Sequence, residues 1–178
     1  MAGQEHIYLQ KIAQVKLHYM GCRIVYPEVY AEHNGRLDAV GSRLTQSITN
    51  RVETIGIEVK VSRSDFFCWK QKAIDSWGRG WGGIDEKELG VNYRYFLTPP
   101  NLIDKSELYS GWGLMTFDGK RVKTVVVAPR KEVDNSIILF WLADHACNLF
   151  HTQKTGLMDE YDWTTYDRID KGDTREKI

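Results

Sequence analysis

The sequence predicts an α/β domain in which a mixed β-sheet is flanked by helices. The predicted elements follow the order helix, three strands, helix, strand, hairpin, helix. Short turns join the first strands, which should be antiparallel, whereas a helix between the strands at 54–61 and 93–98 allows that pair to run parallel. The 178 residues, 42% of them hydrophobic, suit one globular domain, which we assign to 1–156 with a polar tail at 157–178.

The first element is predicted to be a helix over residues 5–20, because apolar residues fall roughly on one stripe at helical spacing: Ile7, Ile12, Val15 and Tyr19. The segment 22–30 that follows is rich in Val, Ile and Tyr and reads as a strand. Pro27 within it favours an edge position or a bulge. An Asn-Gly pair then signals a hairpin that leads into a second strand at 36–41.

Beyond this hairpin, the polar stretch 42–53 predicts an extended loop. Residues 54–61 alternate apolar and polar side chains, as a half-buried strand does. Ser62, with Asp65 three residues later, matches the capping box that begins a helix, here predicted over 62–76.

The second half of the chain predicts a strand at 93–98 and a hairpin of 114–117 with 122–127 through an Asp-Gly turn. The segment 136–150 is apolar on most faces and predicts a helix. Burial in the core is its ordinary role, and a homodimer interface through this helix is the alternative.

Composition excludes several classes of protein. The 24 basic residues balance the 24 acidic ones, which excludes a non-specific polycationic binder. The longest apolar run has seven residues, against about 20 for a membrane span, and the N-terminus lacks the features of a secretory signal. Three separated cysteines without a C-x-x-C pair predict reduced thiols in a cytoplasmic protein.

Two weaker patterns have ordinary explanations. Cys147 and His151 are four residues apart, with His145 nearby, but zinc needs four ligands and a second pair is not evident, so a buried thiol is the simpler interpretation. The stretch 78–83 matches G-x-G-x-x-G formally, but it follows a predicted helix instead of a strand. A lid loop is therefore favoured over a dinucleotide site.

Glu58 and Lys60 lie on the same face of the predicted third strand. An exposed sheet face can carry such a pair, but Asp38 changes the interpretation, since it can lie beside Glu58 if the second and third strands pair. Two close carboxylates repel unless a cation lies between them, and Mg²⁺ fits such a pair together with substrate phosphate. Phosphodiester hydrolysis needs this set, in which Lys60 would orient water or stabilise developing charge.

These residues resemble a nuclease family. Glu28, Gly35-Arg36-Leu37-Asp38 and Ile57-Glu58-Val59-Lys60 look like the motif of the PD-(D/E)xK, or restriction-endonuclease-like, superfamily. More closely, the chain resembles the MmcB-type group of DNA-repair proteins over residues 10–130. The most specific part is the string Glu-x-Lys-x-Ser-x-x-Asp-Phe that begins at Glu58.

The resemblance implies a restriction-endonuclease-like αβββαβ core in which Asp38, Glu58 and the Val59 carbonyl hold Mg²⁺ or Mn²⁺. Glu28 corresponds to an acid that aids metal or water positioning, and Lys60 is the lysine of the motif. The implied function is a metal-dependent DNA nuclease in repair or DNA processing. The alternative is a catalytically silent module that keeps the fold and binds DNA or a protein partner.

Basic residues around the motif are candidates for contacts with DNA phosphates: Arg36, Arg63, Lys70, Lys72 and Arg79. Tryptophans interleaved at 69, 77 and 81 could stack on bases, with core packing as the alternative. A second basic cluster at 120–131 has a solvated hairpin edge as its default interpretation.

Overall fold

The computed structural model describes residues 3–31, 35–45, 51–68, 90–134, 136, 138–140, 142, 143 and 147. Within these residues the fold is α/β, with one six-stranded mixed sheet whose strands lie side by side in chain order. A helix, α1 (Gln4–Tyr19), precedes the sheet. The strands are β1 (Ile24–Ala31), β2 (Gly35–Leu44), β3 (Val52–Val59), β4 (Tyr93–Thr98), β5 (Gly113–Phe117) and β6 (Val122–Val126).

The sheet contains both strand orientations, as the sequence predicts. β1, β2 and β3 are antiparallel neighbours, and β5 and β6 form the predicted antiparallel hairpin. β3 and β4 run parallel, which confirms the pair predicted across the intervening helix, and β4 and β5 are parallel as well. β1 is an edge strand. Pro27, which cannot donate a main-chain hydrogen bond, therefore sits where the sequence places it.

Helix α1 packs on one face of the sheet, but with a stripe that differs from the predicted one. Ile12 and Val15 are buried, whereas Ile7 and Tyr19 are 46% and 51% exposed. The remaining buried apolar residues of α1 are Leu9, Ala13 and Leu17. These three recur every four residues, so they lie along one line of α1, on the face of the helix that is buried against the sheet.

The opposite face of the sheet is covered by a second apolar cluster. In this cluster the ring of Phe96 packs between two other aromatic rings. Its centroid lies 5.3 Å from that of Phe66 and 4.4 Å from that of Trp112. Phe66 belongs to helical residues 63–68, which follow β3, and Ile138 and Leu142 belong to helical residues between 136 and 147. The sheet thus has helices on both faces.

The predicted loop at 42–53 is wrong at both ends. β2 continues to Leu44 and β3 begins at Val52, so the polar residues at these ends are paired across two strands. Arg43 and Glu53 face each other in this ladder and form an ion pair of 3.1 Å. Polar character therefore reflects a cross-strand charge pair here, not a loop.

The helix after β3 begins as predicted. The N–H of Asp65 donates to the Ser62 hydroxyl at 3.1 Å, which is the N-cap half of the predicted box. The Asp65 carboxylate instead lies 3.5 Å from the Lys60 ammonium. The predicted extension to residue 76, the glycine-rich loop at 78–83, Asn34 and the tail at 157–178 lie outside the described residues.

In the described part of the chain, no helix is long and apolar enough to cross a membrane. Phe140, in the helical segment after residue 136, is 67% exposed. The homodimer through this segment stays a prediction.

Candidate active site

Asp38 is fixed where β2 and β3 separate. The pairing of these strands ends at Ala39↔Ile57, one residue before Asp38 would meet Glu58. The N–H of Val59 donates instead to Asp38 Oδ2 at 2.8 Å, while the N–H of Lys60 continues the contact with β4 through Leu97. Asp38 therefore replaces a main-chain acceptor and is held with its side chain only 8% exposed.

Glu58 and Lys60 lie on one face, as the alternation predicts, while Ile57 and Val59 pack on the α1 side. Lys60 Nζ lies 2.9 Å from Glu58 Oε1, and both residues are buried. Glu58 Oε2 is also buried and has no hydrogen-bond partner within the described ranges. A buried carboxylate oxygen without a partner is costly, and it marks a position at which a ligand could bind.

Burial governs the electrostatics of this pair. It raises the pKa of Glu58 to about 7, against the opposing pull of the Lys60 ammonium, and the neighbouring Asp38 charge adds to the rise. Burial by itself would lower the pKa of Lys60, but the carboxylates around it, Glu58 first, raise that pKa instead. Lys60 therefore carries its charge at neutral pH, and Glu58 is easily neutralised or paired with a further cation.

Glu28 lies across from Asp38 in the β1–β2 ladder, between the pairs Pro27↔Ala39 and Val29↔Leu37. Its φ of 58° is in the left-handed region, which costs a residue with a side chain about 1–2 kcal/mol. Backbone strain of this kind clusters at functional sites. Glu28 is exposed, and its carboxylate accepts from the Gln10 amide at 3.4 Å.

Two site residues were missed by the sequence prediction, and both come from α1. His6 Nε2 lies 3.1 Å from Asp38 Oδ1. The Gln10 amide donates to the Asp38 carbonyl at 3.1 Å and to Glu28 Oε1 at 3.4 Å. The available signal was the spacing of His6, Gln10 and Gln14 at i, i+4 and i+8, which places polar groups along one line of the helix.

The predicted DNA-contacting residues are only partly described. Arg63, 51% exposed, pairs with Glu107 through both guanidinium nitrogens and donates to the Leu102 carbonyl at 3.0 Å. The β2 backbone includes Arg36, whose side chain is not described. Lys70, Lys72, Arg79 and the three tryptophans lie outside the described residues.

The second basic cluster, at 120–131, contains exposed basic residues and one arginine that pairs with a buried acid. Lys120, Arg121 and Lys123 are exposed. Arg130 Nε lies 2.9 Å from the buried Glu53, and Arg130 also pairs with Glu132. At least part of this cluster therefore supports the fold.

Carboxylate oxygens are the donor type that a hard divalent cation takes. Asp38, Glu58 and Glu28 offer carboxylate oxygens, and the partnerless Glu58 Oε2 is a ready ligand atom. In the described ranges, however, no three His, Cys, Asp or Glu residues already form a metal-binding group. Cys147, of the alternative site, is exposed and not the buried thiol that the sequence suggested, and His145 and His151 are outside the described residues.

Comparison with known proteins gives information on the fold alone. No protein-family model and no curated protein matches the chain. A solved structure of a protein of unknown function from Silicibacter pomeroyi is similar, with a TM-score of 0.57 and 16% sequence identity over 91% of this chain and 98% of that one. A second chain thus adopts this mixed sheet with a very different sequence.

Proposed function

We propose that the protein is a divalent-metal-dependent DNA nuclease with a restriction-endonuclease-like fold. The observation that carries the proposal is the Glu58 carboxylate, 7% exposed, with one oxygen on Lys60 and the other without a partner in the described structure. A protein that used these residues only for stability would gain little from burying an unsatisfied acid. A site that receives a cation and a phosphate needs this arrangement.

Asp38, Glu58 and the Val59 carbonyl would hold Mg²⁺ or Mn²⁺. When bound, the ion neutralises the scissile phosphate and lowers the pKa of its coordinated water. The Val59 N–H keeps the Asp38 carboxylate in one orientation, so its other oxygen is aimed without rearrangement.

Lys60 supplies the positive charge that the phosphodiester needs as negative charge develops on it. Its ammonium is held between Glu58 at 2.9 Å and Asp65 at 3.5 Å. A fixed, buried cation stabilises a developing oxyanion better than a mobile surface lysine does, because less reorganisation is required. Glu28, whose carboxylate accepts from the Gln10 amide at 3.4 Å, would help to orient the attacking water.

The biological setting that we propose is DNA repair or DNA processing in the cytoplasm. The resemblance to the MmcB-type group of DNA-repair proteins supports a role in DNA repair. The free thiols Cys22, Cys68 and Cys147 are consistent with a reducing compartment.

The test is cleavage of a panel of single-stranded, duplex, nicked and branched DNA, with RNA included, in Mg²⁺ or Mn²⁺ and with EDTA as control. We expect metal-dependent cleavage of at least one DNA substrate. Salt-dependent DNA binding that survives Glu58→Gln, without cleavage in either metal, would replace the nuclease with the silent binding module.

A further inference from the structure

A cavity lies between α1 and the edge strand β1, beside the candidate active site. Its volume is about 450 Å³, and pockets that hold small ligands measure about 300–1,000 Å³. Its walls are residues 26–28 of β1 and four residues of α1: Ile7, Gln10, Lys11 and Gln14. Gln10 also donates to the Asp38 carbonyl at 3.1 Å, so the cavity adjoins the acid that we place in the active site.

Gln10 offers a hydrogen-bond acceptor at the wall of this cavity. The residue is 8% exposed, and its side-chain nitrogen donates to the Asp38 carbonyl and, at 3.4 Å, to Glu28 Oε1. Because both partners are acceptors, the orientation of the amide is fixed. Its own Oε1 accepts no hydrogen bond from the residues that the structure describes. A polar atom of a buried side chain that lacks a partner indicates where the donor group of a ligand could bind.

We infer that this cavity receives one unpaired base of the DNA strand, next to the phosphodiester bond that is cut, and that it favours a base with an exocyclic amino group. This inference rests on the proposed function, since it names the substrate class of the same site. A base stacked inside a duplex cannot enter such a cavity, whereas an unpaired base can be bound there through its hydrogen-bonding edge. The amino groups of adenine and cytosine are donors, but thymine carries an acceptor oxygen at the matching position.

The other walls of the cavity suit the remainder of a nucleotide. Ile7 is an apolar residue that is 46% exposed, and with Pro27 it offers apolar surface to the face of a base. Tyr26 adds an aromatic side chain of the kind on which bases stack. The exposed Lys11 supplies a positive charge for the phosphate that accompanies the base.

The test measures binding of the purified full chain to single-stranded oligo-dC and oligo-dU of about 12 nucleotides, by fluorescence anisotropy in EDTA. Cytosine carries an amino group where uracil carries an oxygen, and EDTA prevents metal-dependent cleavage during the measurement. The wild type should bind oligo-dC about fivefold more tightly than oligo-dU, which is the effect of roughly one hydrogen bond.

Gln10→Met should lose the preference for oligo-dC, because methionine lacks the acceptor oxygen. Gln4→Met is the matched control, an exposed glutamine of the same helix outside the cavity, and should keep the preference. Ile7→Trp is a second variant that leaves the hydrogen bonds of Gln10 in place and fills the cavity from an exposed position. It should also lose the preference, whereas Tyr8→Trp, at the neighbouring exposed position, should keep it.

The outcomes separate this inference from the proposed function. Equal affinity of the wild type for the two oligonucleotides, binding of neither, or a preference that both Gln10→Met and Ile7→Trp retain would overturn the base cavity. Cleavage in Mg²⁺ or Mn²⁺ decides the nuclease. If the wild type cleaves DNA but binds oligo-dC and oligo-dU equally, only the cavity inference is wrong. If the preference is present and cleavage is absent, the cavity belongs to the silent binding module and the nuclease is wrong.

Discussion

Asp38 Oδ2 accepts a hydrogen bond of 2.8 Å from the main-chain N–H of Val59, the residue between Glu58 and Lys60. One side chain of β2 thereby fixes the end of β3 at the point where the two strands stop pairing. The candidate catalytic acid is thus also a structural acceptor. Substitutions at this position must be chosen so that the two roles can be separated.

Asp38→Ala should lower the free energy of unfolding by about 1–3 kcal/mol, because the buried Val59 N–H loses its acceptor. Asp38→Asn should lower the free energy of unfolding by less, because the amide oxygen of asparagine can still accept from the Val59 N–H. Urea denaturation of both variants measures the difference. Equal losses would show that the bond to Val59 does not hold the two strands together.

Glu53, which pairs with Arg43 and Arg130, should make the free energy of unfolding depend on pH in the acidic range. Burial favours the neutral acid, but hydrogen bonds from Arg130 and Arg43 outweigh it and hold the pKa of Glu53 below 4.5. As pH falls, the Glu53 carboxylate is therefore protonated at a higher pH in the unfolded chain than in the folded protein. The contribution is complete above pH 4.5 and is lost as pH falls through the lowered pKa.

Glu53→Gln should thus cost about 2 kcal/mol at pH 7 and flatten the loss of stability below pH 4.5. Glu132→Gln, on the exposed partner of Arg130, is the matched control and should change little. Denaturation curves from pH 3 to 7 measure both, at roughly one-unit steps. An unchanged acid slope in Glu53→Gln would contradict the assignment.

Gly113→Ala should destabilise the parallel pairing of β4 and β5. A Cβ at Gly113 would overlap the Tyr95 ring and lie 2.7 Å from the Ala128 nitrogen, and overpacking of this kind costs about 1–3 kcal/mol. Gly3→Ala, with nothing within 4 Å of the added carbon, is the control. A Gly113→Ala melting temperature equal to that of the wild type would refute the close approach.

The cysteines should differ sharply in reactivity. Burial raises the pKa of the Cys22 thiol to about 12, whereas Cys68 and Cys147 are exposed. Because the thiolate is the reactive form, Cys22 should react with a thiol reagent only after unfolding. Titration of native and denatured protein measures this, with Cys22→Ser identifying the slow thiol; rapid reaction of Cys22 in the native protein would contradict its burial.

Much of the sheet could be predicted because strands impose a two-residue alternation. The same alternation placed Glu58 and Lys60 on one face. Pairing of adjacent strands brings Asp38 to the Val59 N–H, although the ladder ends one residue before Asp38 would meet Glu58. The two ends of the polar stretch 42–53 differ from the predicted loop because a charge pair across two strands, Arg43 with Glu53, has no local signature.

The contribution of α1 could not be predicted. His6 and Asp38 are 32 residues apart, and their contact depends on how the helix crosses the sheet. That crossing is decided by packing of Leu9, Ala13 and Leu17, a stripe that the sequence prediction placed differently. The left-handed backbone of Glu28 likewise depends on its tertiary setting, since a glutamate gives no local signal for positive φ.

The central claim is that this site hydrolyses DNA, and the most direct measurement is the Mn²⁺-dependent cleavage rate of wild type and Glu58→Gln on the same DNA. The account predicts cleavage by the wild type that EDTA abolishes, and a loss of at least about 100-fold in Glu58→Gln with the fold intact by thermal melting. Equal rates in the two proteins would contradict the account, as would the absence of cleavage by the wild type on every DNA tested.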